Sequence, residues 1–157
     1  MAAPQPEPRT IPARLMSPAV HARKHRMSLA GRIGLAVEIV AAYVQARRAL
    51  RRAPIITVVN SLRSESSRAV AQTAATLAEA RRLGWIVTRV LRHVPGDTRC
   101  LARSLVLTRL LARRGIPAKL VIGARGNPSF LAHAWVEHDG NPVLTPGDGS
   151  FGRLVEL

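Results

Sequence analysis

Asp97-Thr98-Arg99-Cys100-Leu101-Ala102-Arg103-Ser104-Leu105 and, further along, Leu131-Ala132-His133-Ala134-Trp135-Val136-Glu137 are the two pieces on which the reading of this chain turns. The first sets the only cysteine at the start of an apolar-periodic run that ends at Gly115, with Pro117 beyond it. That spacing predicts a helix over 98–114. The second alternates as a strand does, with His133, Trp135 and Glu137 on one face and Ala132, Ala134, Val136 and His138 on the other. Such a strand packs its small apolar back on the core and lines a cleft with its polar front; His138, beside the turn, is expected in solvent. A thiol on a helix N-terminus facing an imidazole on a strand is the arrangement of a cysteine nucleophile with its base.

Around these pieces the chain divides cleanly. Lys119-Leu120-Val121-Ile122-Gly123-Ala124 reads as a buried strand, and Gly126-Asn127-Pro128-Ser129 as a turn. Asp139-Gly140 signals a hairpin leading into Pro142-Val143-Leu144, and 151–157 adds a last strand. Upstream, Ser28 caps a helix over 28–52 with Leu29, Ile33, Ala36, Val37, Val40 and Val44 as its inner face. Pro54 opens a shorter helix that buries Ile55, Val58, Val59 and Leu62, although the β-branched run Ile55-Ile56-Thr57-Val58-Val59 also suits a strand. A long Ala-rich helix follows over 67–93, with Val70, Thr73, Leu77, Ala80, Val87 and Leu91 inside and Gly84 as a weak point. Pro95-Gly96 stops it. The expected fold is α+β: a basic, Pro-rich tail over 1–27, a helical region over 28–94, and a core over 95–157 in which one helix packs on a small antiparallel sheet.

Composition narrows the function classes. The 157 residues are 47% hydrophobic, enough for a core without disulfides, and a single Cys permits none. The His residues are scattered without zinc spacing, and no phosphate-binding glycine loop is present, so neither a metal nor a cofactor is expected. The net charge is +15, and all basic residues but Lys24 and Lys119 are arginine. Such a charge suits an acidic peptide or partner. Aromatic residues are only 3%, too few for a base-stacking platform, so no specific nucleic-acid partner is expected. No signal-peptide pattern opens the chain, and the apolar run 33–46 is short for a span and broken by Glu38. The expectation is a soluble, cytoplasmic protein with no transmembrane segment.

Asp97 or Thr98 caps the cysteine helix, leaving Cys100 in its first turn. The unpaired amides and dipole there favour a thiolate and offer donors to an oxyanion, and Arg99 and Arg103 act in the same sense. His133 is the candidate base. For a third group that orients the imidazole, the candidates are Asp148, Asp139 and Glu137. Asp139 is committed to the turn and Glu137 sits two pleats along, which favours Asp148 in Pro146-Gly147-Asp148-Gly149.

At these residues the chain resembles a known family. Cys100-Leu101-Ala102-Arg103-Ser104-Leu105, Leu110-Leu111-Ala112-Arg113-Arg114-Gly115-Ile116-Pro117-Ala118, Leu120-Val121-Ile122-Gly123 and Ala132-His133-Ala134-Trp135-Val136-Glu137 are similar to the leader peptidases of lasso-peptide biosynthesis. These belong to the transglutaminase-like, papain-related cysteine peptidases. The resemblance is specific over 80–144 and loose over 28–79. It implies removal of the leader from a ribosomally made precursor peptide, with a cyclase closing the macrolactam afterwards. It also implies a separate leader-recognition protein, since nothing in the sequence reads as the fused recognition domain. Cys100 matches the family's nucleophile and His133 its base. The usual acid position is occupied by Thr145, so either Asp148 three residues later substitutes or a Cys100–His133 dyad suffices. Two other readings share the same residues: acyl transfer to an amine on the same thioester, and a non-catalytic basic scaffold that binds a peptide, nucleic acid or anionic membrane, with Cys100 inert.

Overall fold

A computed structural model describes residues 27–64, 73–126 and 129–157. The basic Pro-rich stretch and the expected first turns of the Ala-rich helix, Val70 among them, lie outside these residues. Among the described residues, four helices precede a four-stranded antiparallel sheet. They are α1 (Leu29–Leu50), α2 (Ile55–Ser64), α3 (Ala74–Leu91) and α4 (Cys100–Arg113). The strands β1 (Lys119–Arg125), β2 (Leu131–His138), β3 (Asn141–Pro142) and β4 (Gly152–Glu156) lie in the order β3-β2-β1-β4. The architecture is α+β, as the sequence implies.

Local chemistry sets the boundaries. The Ser28 hydroxyl accepts from the Gly31 amide at 3.1 Å and starts α1. Thr73 and Thr76 cap each other reciprocally, so α3 begins at Ala74 rather than at 67. The Asp139-Gly140 turn between β2 and β3 takes φ of +50° and +70°, the doubly positive pair that a tight hairpin needs.

α4 is the axis of the molecule. Its Leu105, Val106, Leu107, Leu110 and Leu111 are fully buried. Val106, Leu107 and Leu110 meet Leu35 and Ile39 of α1, Leu83 and Val87 of α3, and Val136 of β2 in one cluster. Leu105 joins Val58, Val59 and Leu62 of α2 and Leu120 of β1 in a second. The helical region and the sheet therefore share a single core centred on α4. Gly84 serves that core: a Cβ there would stand 3.0 Å from the Val143 carbonyl oxygen, so it permits close approach and does not interrupt α3.

α1 turns a different face inward from the one expected. Its buried residues are Leu35, Ile39, Ala42, Tyr43 and Ala46. Leu29, Ile33, Val37, Val40 and Val44 are exposed. The helix is apolar nearly all round, so its periodicity marks two candidate faces. Packing decides: Tyr43 reaches the loop before α4, and Glu38 pairs with Arg113 and Arg114 at the far end of α4. At 22 residues, α1 is also long and apolar enough by composition to cross a membrane, longer than the run 33–46 suggested. One side of it is built into the core.

This face assignment predicts opposite outcomes at neighbouring positions. Ile39→Ala empties a fully buried site and should cost about 2–5 kcal/mol. Val37→Ser, at a residue 63% exposed, should change stability by less than about 0.5 kcal/mol. Denaturant unfolding of the two variants measures both.

Candidate active site

Cys100 is the first residue of α4, and no side chain caps that helix at its N-cap, Arg99. Asp97 instead accepts from the Arg99 amide at 3.1 Å, just outside the helix. The Tyr43 hydroxyl, buried on α1, donates to the Asp97 carbonyl at 3.0 Å and fixes the approach to α4. The first-turn amides around Cys100 thus lack a side-chain acceptor within the helix cap, the state in which they serve an anion. Asp97 acts on the chain entering the helix, so the expected Asp97 or Thr98 cap is displaced to Arg99.

Two hydrogen bonds orient α4 against β2. The buried Ser104 hydroxyl donates to the Ala134 carbonyl at 3.1 Å. Past the other end of the helix, His138 Nδ1 donates to the Pro117 carbonyl at 2.6 Å. Helix and strand therefore run the same way, with Cys100 one turn before Ser104 on α4 and His133 next to Ala134 on β2. His138 is accordingly buried within the seam, against the expectation that it is solvated. Its ring donor satisfies a carbonyl left over where α4 ends.

His133 is half-buried and held on three counts. Its ring packs against Phe151, with centroids 5.2 Å apart, and stacks at 6.0 Å on Trp135. Its Nε2 lies 2.9 Å from the Thr145 carbonyl oxygen. Gly123, opposite His133 in the register, makes room for the Trp135 ring: a Cβ there would meet that ring at 2.9 Å. The front face of β2 is polar in sequence yet closed along much of its length. Glu137 is buried and accepts from Trp135 Nε1 at 2.8 Å and from the Arg153 guanidinium. Burial pushes the Glu137 carboxyl up, but hydrogen bonds from Arg153 and Trp135 and the charges of Arg153 and Lys119 outweigh it, leaving it below its ordinary value.

Asp148 is placed in the segment after β3, where its carboxylate accepts from the Ser150 amide at 3.0 Å and from the Ser150 hydroxyl. Arg125 of β1 donates to it at 3.2 Å and to Ser150 at 3.1 Å, while its guanidinium lies over the Phe151 ring. Its acidity is increased chiefly by the Ser150 hydrogen bonds and further by Arg125. Asp139 sits in the hairpin turn, its carbonyl accepting from Asn141. The contacts of His133 and those of Asp148 thus converge on one loop through Thr145 and Phe151. Ser104, Arg125, Phe151 and Arg153 were not singled out from the sequence as parts of this site. Only Ser104 carries a signal, lying one turn from Cys100 on the same helix face.

A family model described as the transglutaminase-like superfamily matches residues 40–156. The chain belongs to that superfamily. The match begins inside α1 and runs to the end of β4, so the superfamily core includes the supporting helices as well as the cysteine and histidine. No curated protein and no solved structure matches the chain.

Glu137 ties the front of the sheet to β4, and its ionisation has a definite sign. Because the folded-state acidity is increased, its stabilisation is present above the ordinary carboxylate value of 4.5 and is lost as pH falls through the lower folded value. Glu137→Gln should cost about 1 kcal/mol at neutral pH, discounted for the half-exposed Arg153. The gap from the wild type should close in acid. Unfolding curves of both proteins from pH 7 to pH 3 test this; a gap that widens in acid would contradict it.

Proposed function

We propose that this protein is a cysteine peptidase that removes the leader from a ribosomally made lasso-peptide precursor. It acts in the cytoplasm with a separate leader-recognition protein and hands its product to a cyclase. The observation that supports the reading is that Cys100 opens an uncapped helix whose next turn, at Ser104, is bonded to Ala134 beside His133 on β2. The sequence resemblance around both residues supplies the substrate class.

The chemistry then follows in order. The Cys100 thiolate attacks the carbonyl at the leader–core junction, and the first-turn amides of α4 stabilise the oxyanion. Protonated His133 gives its proton to the leaving amine as the C–N bond breaks, leaving a thioester on Cys100. His133 then takes a proton from water, which attacks the thioester and releases the leader acid and the free thiol. An amine in place of that water would make the same site an acyl transferase, and product mass separates the two.

Mass spectrometry of a cognate precursor incubated with this protein and its recognition partner tests the proposal. The wild type should cut at one junction, and Cys100→Ala should lose at least about a thousandfold in rate. Equal cleavage by both proteins would remove Cys100 from the chemistry. The +15 charge gives a second expectation: cleavage of an acidic precursor should slow as ionic strength rises. A flat salt profile would show that the charge does not gather the substrate.

A further inference from the structure

We propose that the main-chain carbonyl of Thr145, and no carboxylate, orients the catalytic imidazole, with Asp148 acting one step removed by holding the loop that presents it. The inference rests on His133 being the base of the proposed peptidase. Its decisive feature is a constraint on protons. A carbonyl oxygen only accepts, so the 2.9 Å contact requires His133 Nε2 to carry the hydrogen. The neutral ring then keeps its lone pair on Nδ1, the nitrogen left to take the proton of the Cys100 thiol. Thr145, where the resemblance implies an acid, thus serves the ring through its backbone.

A main-chain acceptor orients a ring only if its loop is fixed, and the sequence fixes it from both sides. Pro146 restricts Thr145 to extended backbone and locks its own φ. Gly147 and Gly149 take φ of +88° and +81°, which a side chain resists. Asp148, between them, accepts from both the amide and the hydroxyl of Ser150 and from Arg125. Arg125 also covers Phe151, and Phe151 packs on the His133 ring. A Cβ on Gly147 would stand 2.9 Å from the Phe151 ring, so the loop leaves no slack on that side. Asp148 is therefore a positioning residue whose carboxylate is spent on Ser150 and Arg125.

The test is ring ¹⁵N NMR of histidine-labelled protein without substrate, at a pH raised until the His133 ring is neutral, with His133 assigned by its loss in His133→Gln, beside kinetics of Asp148→Asn and Asp148→Ala. The expected result is a fixed Nε2–H tautomer of His133 in the wild type and in Asp148→Asn, whose amide oxygen still accepts from Ser150. Asp148→Ala should average the two tautomers and lower kcat on the order of tenfold with little change in KM. Asp148→Asn should recover most of that loss. An Nδ1–H or averaged ring in the wild type would overturn the inference. Loss of the tautomer in Asp148→Asn as complete as in Asp148→Ala would overturn it as well, because the carboxylate itself would then be the partner. The spectra need no cleavage, so an inactive wild type counts against the peptidase reading alone.

Discussion

The seam between α4 and β2 is the constraint on which the rest of the structure depends. A buried hydroxyl costs free energy unless it is paired, and Ser104 has one acceptor placed for it, the Ala134 carbonyl. His138 closes the other end on Pro117. Sliding α4 along the strand would strand both donors in an apolar interior, so the two bonds hold helix and strand in one register. Dispersion and burial around Leu105, Val106 and Leu107 supply the bulk stabilisation but would tolerate several registers. The polar pair selects the one that brings the first turn of α4 to the His133 end of β2.

The front of the sheet is built on a second economy. Trp135 presents a large apolar ring with one donor, and Glu137 is the acceptor it needs two residues on. That leaves a buried carboxylate, which Arg153 neutralises from the edge strand β4, across β1. Gly123 leaves space for the ring that His133 then stacks on. A tryptophan, an acid, an arginine and a glycine from three strands thus form the wall against which the imidazole is set. The polar alternation of this strand therefore indicates an internal network along most of its length, with the accessible end at His133.

Much of this was legible in the sequence. Period-two alternation, the Asp139-Gly140 turn and the Gly115 stop depend on local backbone chemistry, and β2 spans the expected residues. What depends on distant neighbours was not. On α1 both sides are apolar, so only the partners of Tyr43 and Glu38 choose between Ile39 and Val37 as the buried position. His138 looked like a surface residue because its acceptor, Pro117, is contributed by another segment. The start of α3 moved because the reciprocal Thr73–Thr76 cap is a stronger signal than the helical composition before it. The Thr145 carbonyl has no side-chain signature at all, since every residue carries one.

The substitution of carbonyl for carboxylate changes where the site carries charge. A carboxylate beside the imidazole attracts its protonated form with a full charge, whereas a carbonyl offers a dipole in a fixed direction. Orientation and tautomer survive the exchange; the long-range attraction does not. On the catalytic reading, the counter-charge to the imidazolium is then the Cys100 thiolate itself, and the anion is held by the open amides at the start of α4. The nearby acidic groups have other work: Asp148 meets Arg125, and Glu137 meets Arg153. In a chain of net charge +15 each of those carboxylates prevents a partly buried guanidinium from standing uncompensated. The arginine-rich composition and the main-chain acceptor are in this sense linked, because the acids near the sheet are committed to arginine and the ring is left to the backbone.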